Sequence, residues 1–132
     1  MVTGVIWGSR FRIHHRVADT YRCGRLLLAG DAAHVHSPAG GQGMNLGIQD
    51  AVALSETLAG VLGGEPDSLL DEYSATRRPM ARDVVTMTDR LTRLATLPWA
   101  LRPLRNAVFS VVGRVPAVNR ALAWRLSGLV YR

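Results

Sequence analysis

Alternating apolar and polar positions predict extended structure at the start of the chain. Residues 2–7 are rich in β-forming side chains, and over residues 10–17 apolar or histidine positions alternate with arginine or histidine. A period of two is typical of a strand with one packed face. Residues 26–29, Leu-Leu-Leu-Ala, are apolar on both faces, which predicts a strand buried in the middle of a parallel or mixed sheet.

A loop and a first helix follow. Three glycines and a proline fall within residues 38–43, so we expect the segment from His34 to Gly43 to be an irregular loop. Over residues 44–62 apolar side chains recur at spacings of three and four, as on one face of a helix. Gly63 and Gly64 predict the end of this helix.

The rest of the chain is helical in pattern. Asp67 and Ser68 open a second helix, and we expect Pro79 to break or kink it because proline lacks the amide hydrogen that a helical turn needs. The pattern resumes over residues 84–94, and beyond Pro98 we expect short amphipathic helices that dock onto the body. These helices are interrupted at Pro103, Gly113 and Pro116.

The order of elements predicts an α/β fold in which short strands precede a mainly helical C-terminal region. One buried strand and a pair of flanking strands do not complete a sheet of the kind that α/β domains contain. We therefore expect the chain to be the second half of a larger fold.

The composition is that of a globular protein. Of the 132 residues, 48% are hydrophobic and 20% are charged, which excludes a disordered chain. No apolar run approaches the roughly 20 residues that cross a bilayer, and residues 1–12 do not resemble a signal peptide. We expect a cytoplasmic protein with no membrane partner.

Charge is divided unevenly along the chain. Residues 77–132 carry eleven arginines against two acids, a balance of +9, whereas residues 1–76 have a balance of −3. A basic tail could bind nucleic acid, with Trp99, Trp124 and Tyr131 stacked on bases, or could lie on an anionic membrane. Because the arginines occur singly at helical spacing, we favour solvated helix faces with the aromatic residues anchored in a core, and we expect no nucleic-acid partner.

Candidate chemistry begins at Asp31. An acid after a buried strand, followed by a glycine-rich loop and a helix start, is how open α/β sheets meet a ligand. A helix that starts near Gly43 leaves the amides of Met44 and Asn45 unpaired, which favours an electron-rich group, and the glycines let a flat ligand approach the backbone. The glycine spacing is neither that of a dinucleotide fingerprint nor that of a phosphate-binding loop, so the residues alone predict an anionic or polar ligand.

A longer pattern is more specific. It runs through Gly30-Asp31-Ala32-Ala33-His34, Pro38, Gly41-Gln42-Gly43-Met44-Asn45, Gly47 and Asp50-Ala51. This pattern resembles the second FAD-binding motif of the class A flavin monooxygenases, the family of para-hydroxybenzoate hydroxylase, the phenol hydroxylases and the aromatic polyketide hydroxylases. Tyr73 and the sequence Arg77-Arg78-Pro79 are similar to the family's helix after the motif.

The resemblance implies a role for each motif residue. Asp31 would bind a hydroxyl of the FAD ribityl chain, Pro38 would lie beside the isoalloxazine, and the amides at the helix start would contact the pyrimidine edge of the flavin. The implied cofactor-binding set is Gly30, Asp31, Pro38, Gly41, Gly43, Met44 and Asn45. No catalytic side chain and no metal are implied, because the cofactor carries the chemistry.

The resemblance also implies a partial Rossmann-like FAD/NAD(P)-binding domain. Residues 1–23 would end the substrate-domain sheet, residues 24–64 would form the strand, FAD loop and helix, and residues 65–132 would form a helical region. The family's motifs for adenosine, pyrophosphate and NAD(P)H are not found in this sequence. We expect the FAD-binding portion of an enzyme that hydroxylates aromatic small molecules with NAD(P)H and O₂. The alternatives are a non-catalytic truncated remnant and one chain of a split enzyme, with a separate chain supplying the missing half.

Two histidine pairs have other interpretations. His34 and His36, together with Asp31, could bind a metal, because zinc sites use histidines at such spacing. The family motif makes this the weaker interpretation, and we expect no metal. His14 and His15 alternate on the predicted strand, and we expect one of them to be packed or to line a cavity rather than to act as a base.

Overall fold

The structure is a computed structural model that describes residues 4, 6–10 and 12–127, without the side chains of residues 125 and 126. Its strands are β1 (Arg16–Val17), β2 (Arg22–Cys23), β3 (Leu26–Leu27) and β4 (His34–Val35). Its helices are α1 (Gly43–Leu62), α2 (Leu69–Ala95), α3 (Arg102–Val112) and α4 (Pro116–Leu126), with single 3₁₀ turns at Gly30–Ala32 and Trp99–Leu101. The fold is therefore mixed α/β but mostly helical.

The strands are shorter than the alternation predicts, and they pair differently. β1 pairs with β4 and β2 with β3, each antiparallel and two residues long, and the described residues contain no parallel or larger sheet. A strand does form within residues 26–29, as β3, but the prediction that it is buried in the middle of a sheet is wrong, because among the described residues β3 pairs only with β2, and Leu26 is 74% exposed. Residues 4, 6–10 and 12–15 are irregular, whereas residues 2, 3, 5 and 11 of the predicted strands lie outside the described residues.

A strand also lies where the glycine pattern predicts only loop. His34 pairs with Val17, and the Ala18 amide donates to the Ala33 carbonyl at 2.8 Å, so the start of the predicted loop is held beside β1. Backbone pairing of this kind depends on a partner distant in sequence, which local composition does not reveal.

The two long helices follow the predicted pattern closely. α1 ends at Leu62 with Gly63 as its C-cap, and Gly64 has a φ of +102°, a left-handed conformation that favours glycine, so the predicted stop is confirmed. α2 begins directly after Ser68 as predicted. It is continuous from Leu69 to Ala95 with Pro79 inside it, so Pro79 does not break the helix, and the alternative of a kink stays a prediction. Proline removes one hydrogen bond of the ladder, and packing of α2 against α1 and the strands stabilises the remaining turns.

The core lies between α1, α2 and the strand segments. Its fully buried apolar side chains come from all three parts: Tyr21, Ala33, Leu46, Tyr73, Ala81 and Val84. Val17, Leu28 and Leu54 pack against this cluster from the side. The cluster holds the segment between β3 and α1 against both helices, and this segment and the first turns of α1 together carry the candidate motif.

The C-terminal helices are much less buried. α3 has no buried residue, and Trp99 and Trp124 are 81% and 58% exposed. The predicted core anchoring is therefore wrong for these two tryptophans, and Tyr131 lies outside the described residues. The interruption predicted at Pro103 is wrong, because Pro103 lies in the first turn of α3, where a missing amide hydrogen is tolerated. Gly113 and Pro116 do separate α3 from α4.

Among the described residues no helix is long and apolar enough to cross a membrane.

Candidate functional site

One cleft collects most of the motif. It has a volume of about 860 Å³, within the roughly 300–1,000 Å³ of small-molecule sites, and lies between the 3₁₀ turn, the glycine loop and one face of α1. Six of the seven residues in the predicted binding set line it: Gly30, Asp31, Pro38, Gly41, Gly43 and Met44. Asn45 does not line it, because it lies on another face of the first turn of α1.

The cleft has further walls that the motif does not identify. They are formed by Ala29, Val35, His36, Ser37, Gly47, Ile48 and Ala51. Gly47, Ile48 and Ala51 follow Met44 at intervals of three and four, so helical periodicity alone would have found this wall. Met44 and Ile48 are 75% and 55% exposed and make it apolar.

The floor of the cleft depends on a close approach of two glycines. Gly30 has a φ of +58°, and a Cβ built on it would lie 3.8 Å from the Gly47 Cα. A Cβ built on Gly47 would lie 3.5 Å from the Gly30 Cα. The backbone of the turn therefore touches the backbone of α1, which presents the exposed Asp31 at the cleft.

The glycine loop is shaped by its own hydrogen bonds and anchored to α2. Gly40 and Gly41 both have positive φ, and the Gly41 amide donates to the Pro38 carbonyl at 3.0 Å. The buried Ser37 hydroxyl accepts from the Ala39 amide at 3.2 Å and lies 2.7 Å from the Thr92 hydroxyl. These hydrogen bonds shape the loop and tie its position to the C-terminal third of α2.

The start of α1 faces the cleft. The N-cap residue Gln42 forms no side-chain cap hydrogen bond, and the first turn contains no acidic residue. Since the first amides of a helix have no partner within the helix, the amides near Gly43 and Met44 and the positive end of the helix dipole are directed at whatever occupies the cleft. Such an end favours an electron-rich group.

A buried ionic network holds the turn, the loop and both helices together. Asp50 of α1 is fully buried and accepts hydrogen bonds from His34 Nε2 at 2.6 Å, Arg77 Nε at 2.8 Å and the Gly30 amide at 3.2 Å. Burial alone would raise the pKa of Asp50, but the hydrogen bonds from His34, Arg77 and Gly30 outweigh it and hold the pKa below its ordinary value. Asp50 therefore stays ionised and fixes Gly30 against α1.

Two buried tyrosines support the segment that leads to the turn. Tyr73 donates to the Leu28 carbonyl at 2.9 Å, and the Tyr21 amide donates to the Ser74 hydroxyl at 3.1 Å. Burial, and then the nearby charge of Asp50, raises the pKa of Tyr73 to about 12 and raises that of Tyr21 as well. Both phenols stay protonated at neutral pH, so Tyr73 remains a donor.

The four histidines have different surroundings in the structure. His34 Nε2 is bonded to Asp50, and in the part of the chain that the structure describes no three histidine, cysteine, aspartate or glutamate side chains cluster in a way that could hold a metal. His15 is half-buried with its Nδ1 4.0 Å from Asp89 Oδ1, too long for a hydrogen bond, whereas His14 is exposed. Neither lines the cleft.

The sequence and the structure are both similar to those of known flavoproteins. The family model described as FAD binding domain matches residues 1–88. The 12-dehydrotetracycline 5-monooxygenase/anhydrotetracycline 6-monooxygenase of Streptomyces rimosus is 45% identical over 129 residues, 97% of this chain and 25% of that enzyme. Pentachlorophenol 4-monooxygenase of Sphingobium chlorophenolicum is 38% identical over 127 residues, 95% of this chain and 23% of that enzyme. The crystal structure of CabE, an aromatic hydroxylase from angucycline biosynthesis, has a TM-score of 0.82 at 43% identity and covers 96% of this chain and 26% of that one.

These matches establish the family. The chain belongs to the FAD binding domain family, which matches more than half of it. Its relatives and structural neighbours are aromatic monooxygenases of the class A type, so the resemblance carried by the Gly-Asp motif and the glycine loop is confirmed. The chain spans about a quarter of the length of the curated relatives that it matches.

Proposed function

We propose that this chain is the FAD-binding portion of a flavin-dependent monooxygenase that hydroxylates aromatic, phenolic or polyketide-like molecules with NAD(P)H and O₂. The observation that carries the proposal is the cleft, because six residues of the predicted flavin set line it together. The relatives' names, which include tetracycline, pentachlorophenol and rifampicin monooxygenases, support an aromatic substrate. The chain would hold the flavin, and a further part of the enzyme would complete the substrate site.

The cleft fits a flavin in both shape and chemistry. The close approach of Gly30 and Gly47 sets the backbone of the turn directly against α1 at the floor of the cleft. Met44, Ile48 and Pro38 offer apolar surface to a flat ring, while Asp31 and the α1 amides offer an acceptor and donors at its edges. A mainly apolar pocket with a few placed polar groups is the usual design of a cofactor site.

Each of these groups has a distinct task in the proposed site. The Asp31 carboxylate would accept a hydrogen bond from a ribityl hydroxyl, and Pro38 would lie beside the ring. The α1 amides offset negative charge at the pyrimidine edge by ~0.3–1 kcal/mol, or more when water is excluded. When bound, FAD supplies the redox and oxygen chemistry, so this chain needs no nucleophile or general base of its own.

Titration of the purified chain with FAD tests the proposal. We expect saturable quenching or a shift of flavin fluorescence, and flavin that co-elutes with the protein in gel filtration. Riboflavin should bind as FAD does and ADP should not compete, because this sequence has a ring site but no adenosine motif. Free elution of FAD together with unchanged fluorescence would contradict the proposal.

A second candidate is a non-catalytic remnant or one chain of a split enzyme. It is favoured by the large apolar side chains exposed along the C-terminal helices, such as Leu104 at 66% and Val111 at 63%. Apolar surface of this kind normally packs against another part of a protein. A chain that self-associates in light scattering and binds no flavin alone, but does so once a dinucleotide-binding chain is added, would establish the split enzyme.

A further inference from the structure

A threonine of α2 that lies outside the motif contacts the wall of the cleft. The Thr92 hydroxyl lies 2.7 Å from the Ser37 hydroxyl and 2.8 Å from the Thr88 carbonyl oxygen. Ser37 is 2% exposed, and together with Pro38 it lines the cleft. The contact therefore joins the last turns of α2 to the part of the loop that a molecule in the cleft would touch.

The partners of the two hydroxyls fix the direction of their hydrogen bonds. The Thr88 carbonyl oxygen only accepts, so we assign the single hydroxyl hydrogen of Thr92 to that bond. Thr92 Oγ1 is then the acceptor for the Ser37 hydroxyl, and Ser37 Oγ accepts from the Ala39 amide at 3.2 Å. Thr92 thus holds a buried hydroxyl, and that hydroxyl holds the backbone on the far side of Pro38.

Hydrogen bonds, more than packing, hold the glycine end of this loop. Gly40 and Gly41 have φ values of +94° and +64°, and a Cβ built on Gly41 would meet no atom within 4 Å. Glycine has more conformational freedom to lose than other residues, so the shape of such a segment depends on the bonds that fix it. One of them joins the Gly41 amide to the Pro38 carbonyl, and a second set runs through Ser37. The place of Pro38 therefore depends on Ser37 and on its acceptor in α2.

We propose that Thr92 is a positioning residue for the flavin site, whose hydroxyl holds Ser37 and thereby sets the place of Pro38 beside the bound ring. The inference rests on the proposed function and adds to it a residue of α2 that the motif does not contain. Without this bond the loop of the free protein would sample further positions, and a smaller fraction of the molecules would be competent to bind. Flavin affinity then falls although Thr92 itself does not line the cleft.

Four substitutions isolate the hydroxyl of Thr92. Thr92→Val keeps the size and branching of the side chain and removes the acceptor, whereas Thr92→Ser keeps the hydroxyl. Ser37→Ala removes the other half of the same bond. Thr86→Val is the matched control, because the exposed Thr86 lies on another face of α2 and its hydroxyl likewise donates to the carbonyl four residues earlier, that of Arg82, at 2.8 Å.

The first readout is the dissociation constant of riboflavin from fluorescence quenching, measured on the whole chain. We expect Thr92→Val to bind riboflavin about fivefold more weakly than the wild type, and Thr92→Ser and Thr86→Val to stay within about twofold of it. The variant that combines Thr92→Val with Ser37→Ala should bind within about twofold of the weaker single variant, because both changes break one bond. Unfolding midpoints from circular dichroism show that each variant is folded under the conditions of the titration.

The second readout is hydrogen exchange of residues 38–43 without flavin, followed by mass spectrometry. The Ala39 amide is bonded to Ser37, so loss of the anchor in α2 should expose the loop amides more often. We expect faster exchange of this segment in Thr92→Val than in Thr86→Val, and exchange close to that of the wild type in Thr92→Ser.

Three results would overturn the inference. They are wild-type affinity or wild-type loop exchange in a folded Thr92→Val variant, a loss of affinity in Thr92→Ser or Thr86→Val as large as in Thr92→Val, and additive losses in the combined variant. A wild-type chain that binds no riboflavin would contradict the proposed function itself, and the inference with it, so the wild-type measurement distinguishes the two failures.

Discussion

At the scale of single residues, Asp50 and Asp31 show how differently two carboxylates of one motif can act. Asp50 is buried with three donors, and Asp31 is exposed at the cleft. Asp50 thus holds the site in shape, and Asp31 is left to face a ligand.

Removing the charge of Asp50 should destabilise the fold. Asp50→Asn leaves the buried Arg77 guanidinium without a counter-charge, and breaking such a pair costs about 3–5 kcal/mol. Urea denaturation measures the loss. Asp83→Asn, at an exposed position of α2, serves as the control and should change stability by less than about 0.5 kcal/mol. Equal stabilities of the two variants would contradict the role assigned to the network.

The same carboxylate should make stability depend on pH. The folded-state pKa of Asp50 lies below its ordinary value of 3.8, so ionised Asp50 contributes stability above that pH, and this contribution is lost as the pH falls through the folded-state pKa. We expect the free energy of unfolding to fall from about pH 5 towards pH 3, and to fall less steeply in Asp50→Asn. Parallel curves for the two proteins would mean that other carboxylates dominate the acid limb.

Truncating Asp31 should affect flavin rather than the fold. Its side chain is exposed, so Asp31→Ala removes only the acceptor that we assign to the ribityl chain. We expect flavin binding to weaken by about 1–3 kcal/mol with little change in the unfolding midpoint. Fluorescence titration against Asp83→Ala as the control measures the difference. A dissociation constant equal to that of the control would remove Asp31 from the site.

At the scale of elements, what the sequence predicts is set by the range of the interactions involved. α1 and the limits of α2 follow from helical spacing and from stop and start residues within a few positions, such as Gly63 and Ser68. The strands do not follow from local sequence, because β1 and β4 pair with each other across about eighteen positions of the chain. The exposure of Leu26 likewise depends on which segments pack beside it, and the local sequence does not show this. The motif predicts most of the cleft, whereas the Asp50 network and His36 emerge only when the turn, the loop and α2 are brought together.

The contact between the turn and α1 gives a prediction for two glycines. In Gly47→Ala the new Cβ meets the Gly30 Cα at an ordinary 3.5 Å, and alanine in a helix interior is more favourable by about 0.5–1 kcal/mol, so stability should rise slightly. In Gly30→Ala the φ of +58° strains any L side chain, so stability should fall by about 1–2 kcal/mol. Denaturant midpoints of the two variants check this contrast, and two shifts of the same sign would contradict it.

At the scale of the whole molecule, a small core organises one half of the chain around the cleft. The buried cluster joins α1, α2 and the strand segments, whereas the C-terminal helices expose tryptophan, leucine and valine. The chain spans about a quarter of the length of its curated relatives. Under the proposed function, further parts of the monooxygenase would cover its exposed apolar side chains and close its cleft.

The contact between Ser37 and Thr92 has a mechanical consequence. A relay of hydrogen bonds runs from the Ala39 amide through both hydroxyls to the Thr88 carbonyl, and so couples the rim of the cleft to a turn of α2 that is fifty-five residues away along the chain. The position of the Ser37–Ala39 side of the cleft is therefore tied to the position of the last turns of α2, so a substitution that shifts those turns should also alter the cleft.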